Sequence, residues 1–599
     1  TNAANEVGRP TLFSMLIIIA AHIPIFALQR HEGRIFQPMA LSVTTALVGS
    51  LIFSLTLVPL LAYWMLRKGI PHGDNGLVSW AKRVYEPVLL WALDRPRKVV
   101  TIALSGFALS MVAAAHLGSE FLPELNEGTF WVNWDMPASV SQEEAGKVLR
   151  KARMQLLTIP EVRTVVSKAG QPEDGTDPKT LSMAEVFVDV KPAEEWRKGM
   201  TRDMLIEEMD QKLAVIPGVD PAFSMPIRDN VLESISQIKG QIVVKVSGDD
   251  LSELRRMTES MQREFKQVQG VQRAEIDRLG EVPQLIIDID RDRAARLGLN
   301  VGDIQDVVES ALAGRATTQI WEGERKFTVV VRLPGEKRSV INLPTTPIAL
   351  PGGGYATLEN VATIRQGSGA MNIAREAGRR TMAIGIFVKG RDMGSVVADM
   401  KARVNKNVKI SDGYAVTWSG EFENQERAMQ RLALVVPISL LLIFVLLFDA
   451  FASFKAAGLI LINVPLALIG GFVALWIFSI PLSVSAAIGF IALSGQAVLN
   501  GVVMLSVFQQ LRNAGYTVIE AVKEGALQRL RTVLMTAMLA ALGLLPMALS
   551  HDIGSETQRP LAIVVIGGLV TATLLTLVVL PALYVVWFSN KPNTPPAHA

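Results

Sequence analysis

Eight apolar stretches, three before and five after a long charged block, constrain this chain more than any other feature. They lie near residues 11–28, 38–66, 99–117, 431–449, 456–478, 482–508, 533–550 and 561–587. Each approaches or exceeds the roughly 20 helical residues that cross a bilayer core. Lone prolines at Pro24, Pro59, Pro465 and Pro581 are compatible with such spans, because neighbouring helices satisfy the freed carbonyls. Soluble buried helices do not run this long without charge. The charge is accordingly uneven: of the 56 acidic residues, 46 fall within 118–430, which has the composition of a globular domain. The expected fold class is a polytopic α-helical membrane protein with a large α+β insertion.

Loop charge sets the orientation. Segment 67–98 carries Arg67, Lys68, Lys82, Arg83, Arg95, Arg97 and Lys98, and segment 509–532 carries Arg512, Lys523, Arg529 and Arg531. The positive-inside rule puts both in the cytoplasm, and alternation then puts 118–430 on the outer side. Within the first loop, residues 78–93 read as an amphipathic helix with Trp80, Tyr85, Leu89, Leu90 and Trp91 on its apolar side. Either it lies in the membrane interface or it packs on the bundle.

Several chemistries drop out. With no cysteine there is no disulfide framework, thiolate zinc site or iron–sulfur cluster. The net charge of +3 comes without a basic cluster interleaved with aromatics, so nucleic acid is not an expected partner. No phosphate loop, hydrolase elbow or HExxH is present, so any transport must draw on an ion gradient or another subunit.

The outer block alternates strand and helix: WVNWDMP, then SQEEAGKVLRKARMQLLTI opening on a Ser141/Glu144 capping box, then VRTVVSKAG and AEVFVDVKP. Three further rounds run QIVVKVSGD to VQRAEID, PQLIIDID to KFTVVVRLP, and TMAIGIFVKG to YAVTWSG. Small split β-α-β subdomains with antiparallel sheets fit this order better than a Rossmann unit. PGGGYATL reads as a turn before a short strand.

IRQGSGAMNIAREAGRR, GEFENQERA, GFIALSGQAVLNGVVMLSVFQQLR, RLRTVLMTAMLAALGLLPMALS and GSETQRPLAIVVIGGLVTATLLTLVVLPALY resemble the heavy-metal efflux branch of the resistance–nodulation–division transporters, cobalt–zinc–cadmium type. RPTLFSMLIIIAAHIPIFALQRHEGRIFQPMA resembles that family's fifth span. The resemblance covers nearly the whole chain, as the fifth to twelfth spans of a protein nearly twice as long. It implies spans five to seven in 1–117, porter subdomains in 118–275, a docking subdomain in 276–370, a return to the porter in 371–430, five spans in 431–587 and a cytoplasmic tail in 588–599. It further implies a homotrimeric inner-membrane proton antiporter that joins a periplasmic adaptor and an outer-membrane channel. No tightly bound cofactor is expected, only a transported divalent cation such as zinc, cobalt, cadmium or nickel. Proton-carrying acids in such members belong to the fourth span, so the chain by itself is not expected to pump without the N-terminal half.

The copper/silver branch holds its cation with three methionines. Aligned around TDPKTLSMAEV, these places fall on Asn133, Met183 and Glu233, one methionine of three. Carboxylate oxygen suits divalent cations rather than copper(I). A slip of register would substitute Met136 for Asn133. Asp229 and Glu233 stand i, i+4 apart and share one side of a helix if 229–235 is helical; the competing reading is a solvated face with Arg228 paired to Asp229. Asp177, with Glu173 and Asp174, forms an acidic turn, and Glu127 and Glu124 flank the entry from the third span. In the spans, Asn500 and Gln496 are candidates for the proton path or for helix packing, while the places of the copper branch's acid and lysine fall on Leu499 and Val533. His22 reads as structural. Three alternatives stay open: a copper/silver exporter, a hydrophobic-compound exporter of the same fold, and a non-transporting truncated or assembly subunit.

Overall fold

A computed structural model describes residues 2–66, 76–170 except 122, 124 and 125, 179–277 except 237, 280–550, 552 and 554–588. The chain opens with helices α1 (Asn2–Phe26), α2 (Arg30–Leu55), α3 (Leu57–Leu66), α4 (Gly76–Asp94) and α5 (Pro96–Ala115). The extramembrane part begins with β1 (Thr129–Asp135), α6 (Gln142–Leu156), β2 (Val162–Ala169), β3 (Met183–Val190), α7 (Arg202–Ala214), β4 (Ala222–Ser224) and α8 (Pro226–Ser236). It continues through β5 (Ile242–Gly248), α9 (Leu251–Phe265), β6 (Val271–Ile276), β7 (Glu281–Ile289), α10 (Arg291–Arg296), α11 (Val301–Leu312), β8 (Arg315–Glu322) and β9 (Arg325–Val331). Next come β10 (Pro347–Ala349), β11 (Tyr355–Thr357), α12 (Leu358–Val361), β12 (Ala362–Ala370), β13 (Arg375–Glu376), β14 (Arg379–Val388), α13 (Met393–Asn407) and β15 (Ala415–Gly420). The bundle resumes with α14 (Glu421–Phe451), α15 (Phe454–Leu461), α16 (Asn463–Ile477), α17 (Val484–Asn513), α18 (Val518–Leu549) and α19 (Arg559–Phe588).

Seven described helices, not eight, are long and apolar enough to cross a membrane. The expected first span is a shorter apolar run, Thr11–Phe26, within α1. It nevertheless packs into the bundle: a Cβ on Gly495 of α17 would stand 3.0 Å from the Ala21 Cβ. The expected second span divides at Thr56, whose hydroxyl and N–H both donate to the Ile52 carbonyl. Pro59 supplies no N–H to the Leu55 carbonyl, which is why the helix loosens there. Helices α16 and α19 meet through glycine, since a Cβ on Gly470 would lie 2.1 Å from the Gly567 carbonyl oxygen. Small residues at such a crossing let the backbones approach closely. Of the two expectations for its segment, helix α4 shows packing on the bundle. Tyr85, Leu89 and Ala92 are buried, with the Tyr85 hydroxyl donating to the Leu577 carbonyl at 2.6 Å, while Trp80, Val84, Val88 and Trp91 stay exposed.

All named strand pairs are antiparallel. The first sheet has the order β2-β3-β1-β4. Its core face (Val132, Trp134, Ala184, Val186, Val188) packs against α6 and α7 through Ala145, Leu149, Ala152, Leu156, Leu205, Met209 and Leu213. Those helical positions recur every three to four residues, one apolar stripe per helix. The capping expected at Ser141 is present, its hydroxyl accepting from the Glu144 N–H.

The second sheet joins rounds that are far apart in sequence. Its order is β13-β14-β5-β15, with β6 also on β14, so the second and fourth rounds interleave. The third round does not close on itself: β7 pairs with β12, while β8 and β9 form a separate hairpin. Strand β15 runs directly into α14 through Gly420, at φ 90°. A Cβ there would lie 2.7 Å from the Gln241 carbonyl oxygen, which instead accepts the Glu421 N–H at 2.9 Å. A spanning helix is thereby tied to the second sheet without a linker.

Candidate metal site

The pleat of the first sheet sorts its strands into two faces. Val132 and Trp134 point into the core, so Asn133 points away; Ala184 and Val186 do the same for Glu185. Register then sets Lys168, Glu185 and Asn133 in a row across β2, β3 and β1. Helix α8 packs between β1 and β15 and closes over this row. It opens on Pro226, and Glu127 caps it: the carboxylate accepts the Ile227 N–H at 2.8 and 2.9 Å and the Arg228 N–H at 3.2 Å. An anion on orphan N–H groups at a helix start is favoured by the dipole as well as by the hydrogen bonds.

With 226–236 helical, Asp229 and Glu233 descend from α8 toward Glu185. Oxygens of Glu185, Asp229 and Glu233 lie within 4.8 Å of one another. Two oxygens on one zinc ion are at most roughly 4 Å apart, so a small contraction suffices to coordinate. Asp229 is 6% exposed and Glu185 2%, against 31% for the Glu233 side chain. The Asn133 side-chain amide links the two layers, donating from Nδ2 to Asp229 Oδ1 at 2.9 Å and accepting at Oδ1 from Lys239 Nζ at 3.0 Å.

Three lysines answer the three acids. Lys168 Nζ stands 2.8 Å from Glu185 Oε2, and Lys179 Nζ pairs with Glu185 Oε1 and lies 3.5 Å from Glu233. Lys239 Nζ is 3.8 Å from Glu185 Oε1. Burial pushes the Glu185 carboxyl up, but hydrogen bonds from Lys168 and Lys179 and the charge of Lys239 outweigh it and hold it below its ordinary value. Asp229 goes the other way. Burial, the largest cause, raises it to about 6; the charge of Lys239 works against this, and repulsion from Glu233 and Glu185 adds to it. Oxygen-only donors of this kind suit zinc, cobalt, nickel or cadmium and lack the soft sulfur that copper(I) requires.

The structure thus gathers Asp229 and Glu233 and adds Glu185, which sequence reasoning missed. The signal was available: in MAEVFVDV the period-2 pattern puts Glu185 opposite the apolar Ala184 and Val186, on the face of Met183. Met183, half-buried, begins β3 opposite Asp135. Met136 is 5% exposed within the core of the first sheet, on the side away from the acids, so it does not replace Asn133. Asp229 is not on a solvated face; it is buried against Asn133. Asp177, Glu173, Asp174 and Glu124 lie outside the described residues. In the bundle, Asn500 is 2% exposed and its Oδ1 accepts from the Thr536 hydroxyl at 3.4 Å, with Gln496 one turn earlier and half-buried. Asn463 on the neighbouring α16 is 1% exposed, a second buried amide that sequence reasoning did not single out. His22 Nδ1 is 2.8 Å from the Ile18 carbonyl oxygen of its own helix.

A helical bundle carrying split β-α-β sheets, with an oxygen-donor cluster in the extramembrane part, defines a polytopic transporter. The chain belongs to the AcrB/AcrD/AcrF family, whose profile matches residues 1–587, and within it to the heavy-metal efflux branch of the resistance–nodulation–division transporters. It is 40% identical over 595 residues to the cation efflux system protein CzcA of Alcaligenes sp. (strain CT14), covering 97% of this chain and 56% of that one. It is 40% identical to the cobalt-zinc-cadmium resistance protein CzcA of Cupriavidus metallidurans, covering 97% and 56%, and 37% identical to that organism's nickel and cobalt resistance protein CnrA, covering 97% and 55%. A crystal form of a heavy metal efflux pump superposes with a TM-score of 0.85 at 39% identity, over 98% of this chain and 59% of that one. The chain spans about 56% of the length of the curated relatives it matches. It is a multi-pass inner-membrane chain of a secondary-transporter family, with its sheet domain in the periplasm.

Proposed function

We propose that this chain supplies the cation-selecting part of a proton-driven efflux pump for divalent heavy metals of the zinc, cobalt, cadmium and nickel class. The observation that carries the reading is the convergence of Asp229, Glu233 and Glu185 in the periplasmic domain. The oxygen donors favour divalent cations over copper(I), in keeping with the cobalt, zinc, cadmium and nickel named for its relatives. Met183, on the same face of β3 as Glu185, is assigned to the cation's approach, as is Asp177 on its acidic sequence alone, and Glu127 to holding α8 in place. Asn500 and Gln496 serve as hydrogen-bond partners on the proton route through the bundle, because buried amides in a span are costly unless they meet a polar partner. The working assembly is a homotrimer with a periplasmic adaptor and an outer-membrane channel. Residues 118–275 and 371–430 act as the porter and 276–370 as the docking part.

The test is calorimetric binding of Zn(II) and Co(II) to the purified chain, with Cu(I) as control, followed by proteoliposome transport with the family's N-terminal half supplied. Binding and transport lost together in D229A/E233A are expected. Preferential Cu(I) binding would favour the copper/silver alternative, and binding without transport by the reconstituted pair would leave an assembly subunit.

A further inference from the structure

The acids of the metal site are paired with lysines that reach in among them. Lys179 Nζ bridges Glu185 and Glu233, the first on β3 and the second on α8. Lys239 Nζ reaches Glu185 and Asn133, the residue that orients Asp229. Both are substantially covered, their side chains 11% and 23% exposed, whereas Lys168 is 56% exposed and reaches Glu185 from the rim. A cation taking the three carboxylate oxygens would meet Lys179 Nζ, which bridges two of the acids, and would lie close to Lys239 Nζ, 3.8 Å from Glu185 Oε1. Leaving them in place would put two further positive charges within a few ångströms of the ion, in a site that α8 shields from water.

Resting on the metal-binding reading above, we propose that Lys179 and Lys239 are tethered counter-cations that the cargo displaces on binding and that return to expel it. Two ammonium charges leave and one divalent charge enters, so the exchange preserves the charge of the site. A monovalent ion would leave the site one charge short and a trivalent ion one in excess, which makes the pair a selectivity device. It also explains how three carboxylates can release a divalent cation at all. The emptied site never presents bare anions to a low-dielectric cleft, because the lysines re-enter as the ion goes.

The lysines are positioning residues, and their test separates them from the ligands. Zn(II) and Co(II) binding is measured on the full chain and on K179M and K239M, with Mg(II) as the hard-cation control. Each neutral variant should bind at least about ten-fold more tightly, because a tethered competitor of like charge is gone. On the unsubstituted chain, amine-reactive labelling read by mass spectrometry should show Lys179 and Lys239 more reactive with saturating Zn(II) than without it. Lys326, on the β8–β9 hairpin, should not change. Equal or weaker binding in both variants with flat labelling overturns the proposal while the metal reading stands. No Zn(II) or Co(II) binding by the unsubstituted chain overturns both. The labelling arm keeps the proposal exposed to failure should either variant not fold.

Discussion

In the first sheet, Glu185 on β3 lies between Lys168 of β2 and Asn133 of β1; in the second, Lys245 on β5 lies between Ala383 of β14 and Thr417 of β15. Both rows occupy the face turned away from a helix-packed apolar core. Lys245 pairs at 2.9 Å with Glu376, which is 60% exposed, so the pair ends in solvent. Glu185 is 2% exposed, because α8 closes over it and brings two more acids. The same pleat with one covering helix turns an ordinary surface ion pair into a buried cluster. The lesson is that burial, rather than the number of charges, separates a metal-site candidate from a solvated face.

Four substitutions or titrations test this contrast. The largest effect is expected from E185Q, which takes from three lysines the buried carboxylate they share. Removing one partner of a buried ionic group costs about 3 kcal/mol or more, so denaturant unfolding should show a loss of that order and calorimetry should show no Zn(II) binding. An unchanged unfolding midpoint would mean that α8 does not bury the row in solution.

Next in size is the pH response of Asp229. Its carboxyl ionises at about 6 in the fold against 3.8 unfolded, so the folded protein holds this proton more tightly. The stability it contributes is therefore fully present below pH 3.8, falls as pH rises to about 6, and is flat above that. D229N should stabilise the cation-free chain at neutral pH by about 2 kcal/mol while weakening metal binding. In the unsubstituted chain, Zn(II) affinity should drop once pH falls below about 6, where the proton competes for the oxygen. Infrared detection of the protonated carboxyl checks the assignment, and a single carboxylate titration near 4 would refute it.

A smaller effect is expected at the cap. E127Q keeps the shape but removes the charge from the start of α8, costing about 1 kcal/mol and loosening metal affinity several-fold through misplacement of Asp229 and Glu233. Loss of all binding would instead make Glu127 a ligand. The smallest is the control in the second sheet: E376Q should change stability by less than about 0.5 kcal/mol and leave Zn(II) binding untouched.

Much of this arrangement was legible in the residues alone. The apolar runs specify spanning helices, since only an internally hydrogen-bonded backbone survives in hydrocarbon. The strands and the Ser141 cap follow from period-2 alternation and local side-chain chemistry. Asp229 and Glu233 were legible as a pair because i, i+4 spacing is a property of one helix. The break at Thr56 has a local cause in Pro59, which the residues offered; the interleaving of β5, β6, β14 and β15 was not legible, because it depends on what packs beside each segment.

Most of the elements, their order and the oxygen chemistry of two candidate ligands were written in the residues, because these depend on neighbours within a few turns of chain. Only the assembled fold shows that Glu185 joins them, that Asn133 reaches Asp229 across 96 positions, that Lys179 bridges Glu185 and Glu233, and that Lys239 reaches Glu185. Those facts require three strands in register and one helix laid over them. Burial there is a property of the assembled sheet, and no local pattern of residues encodes it.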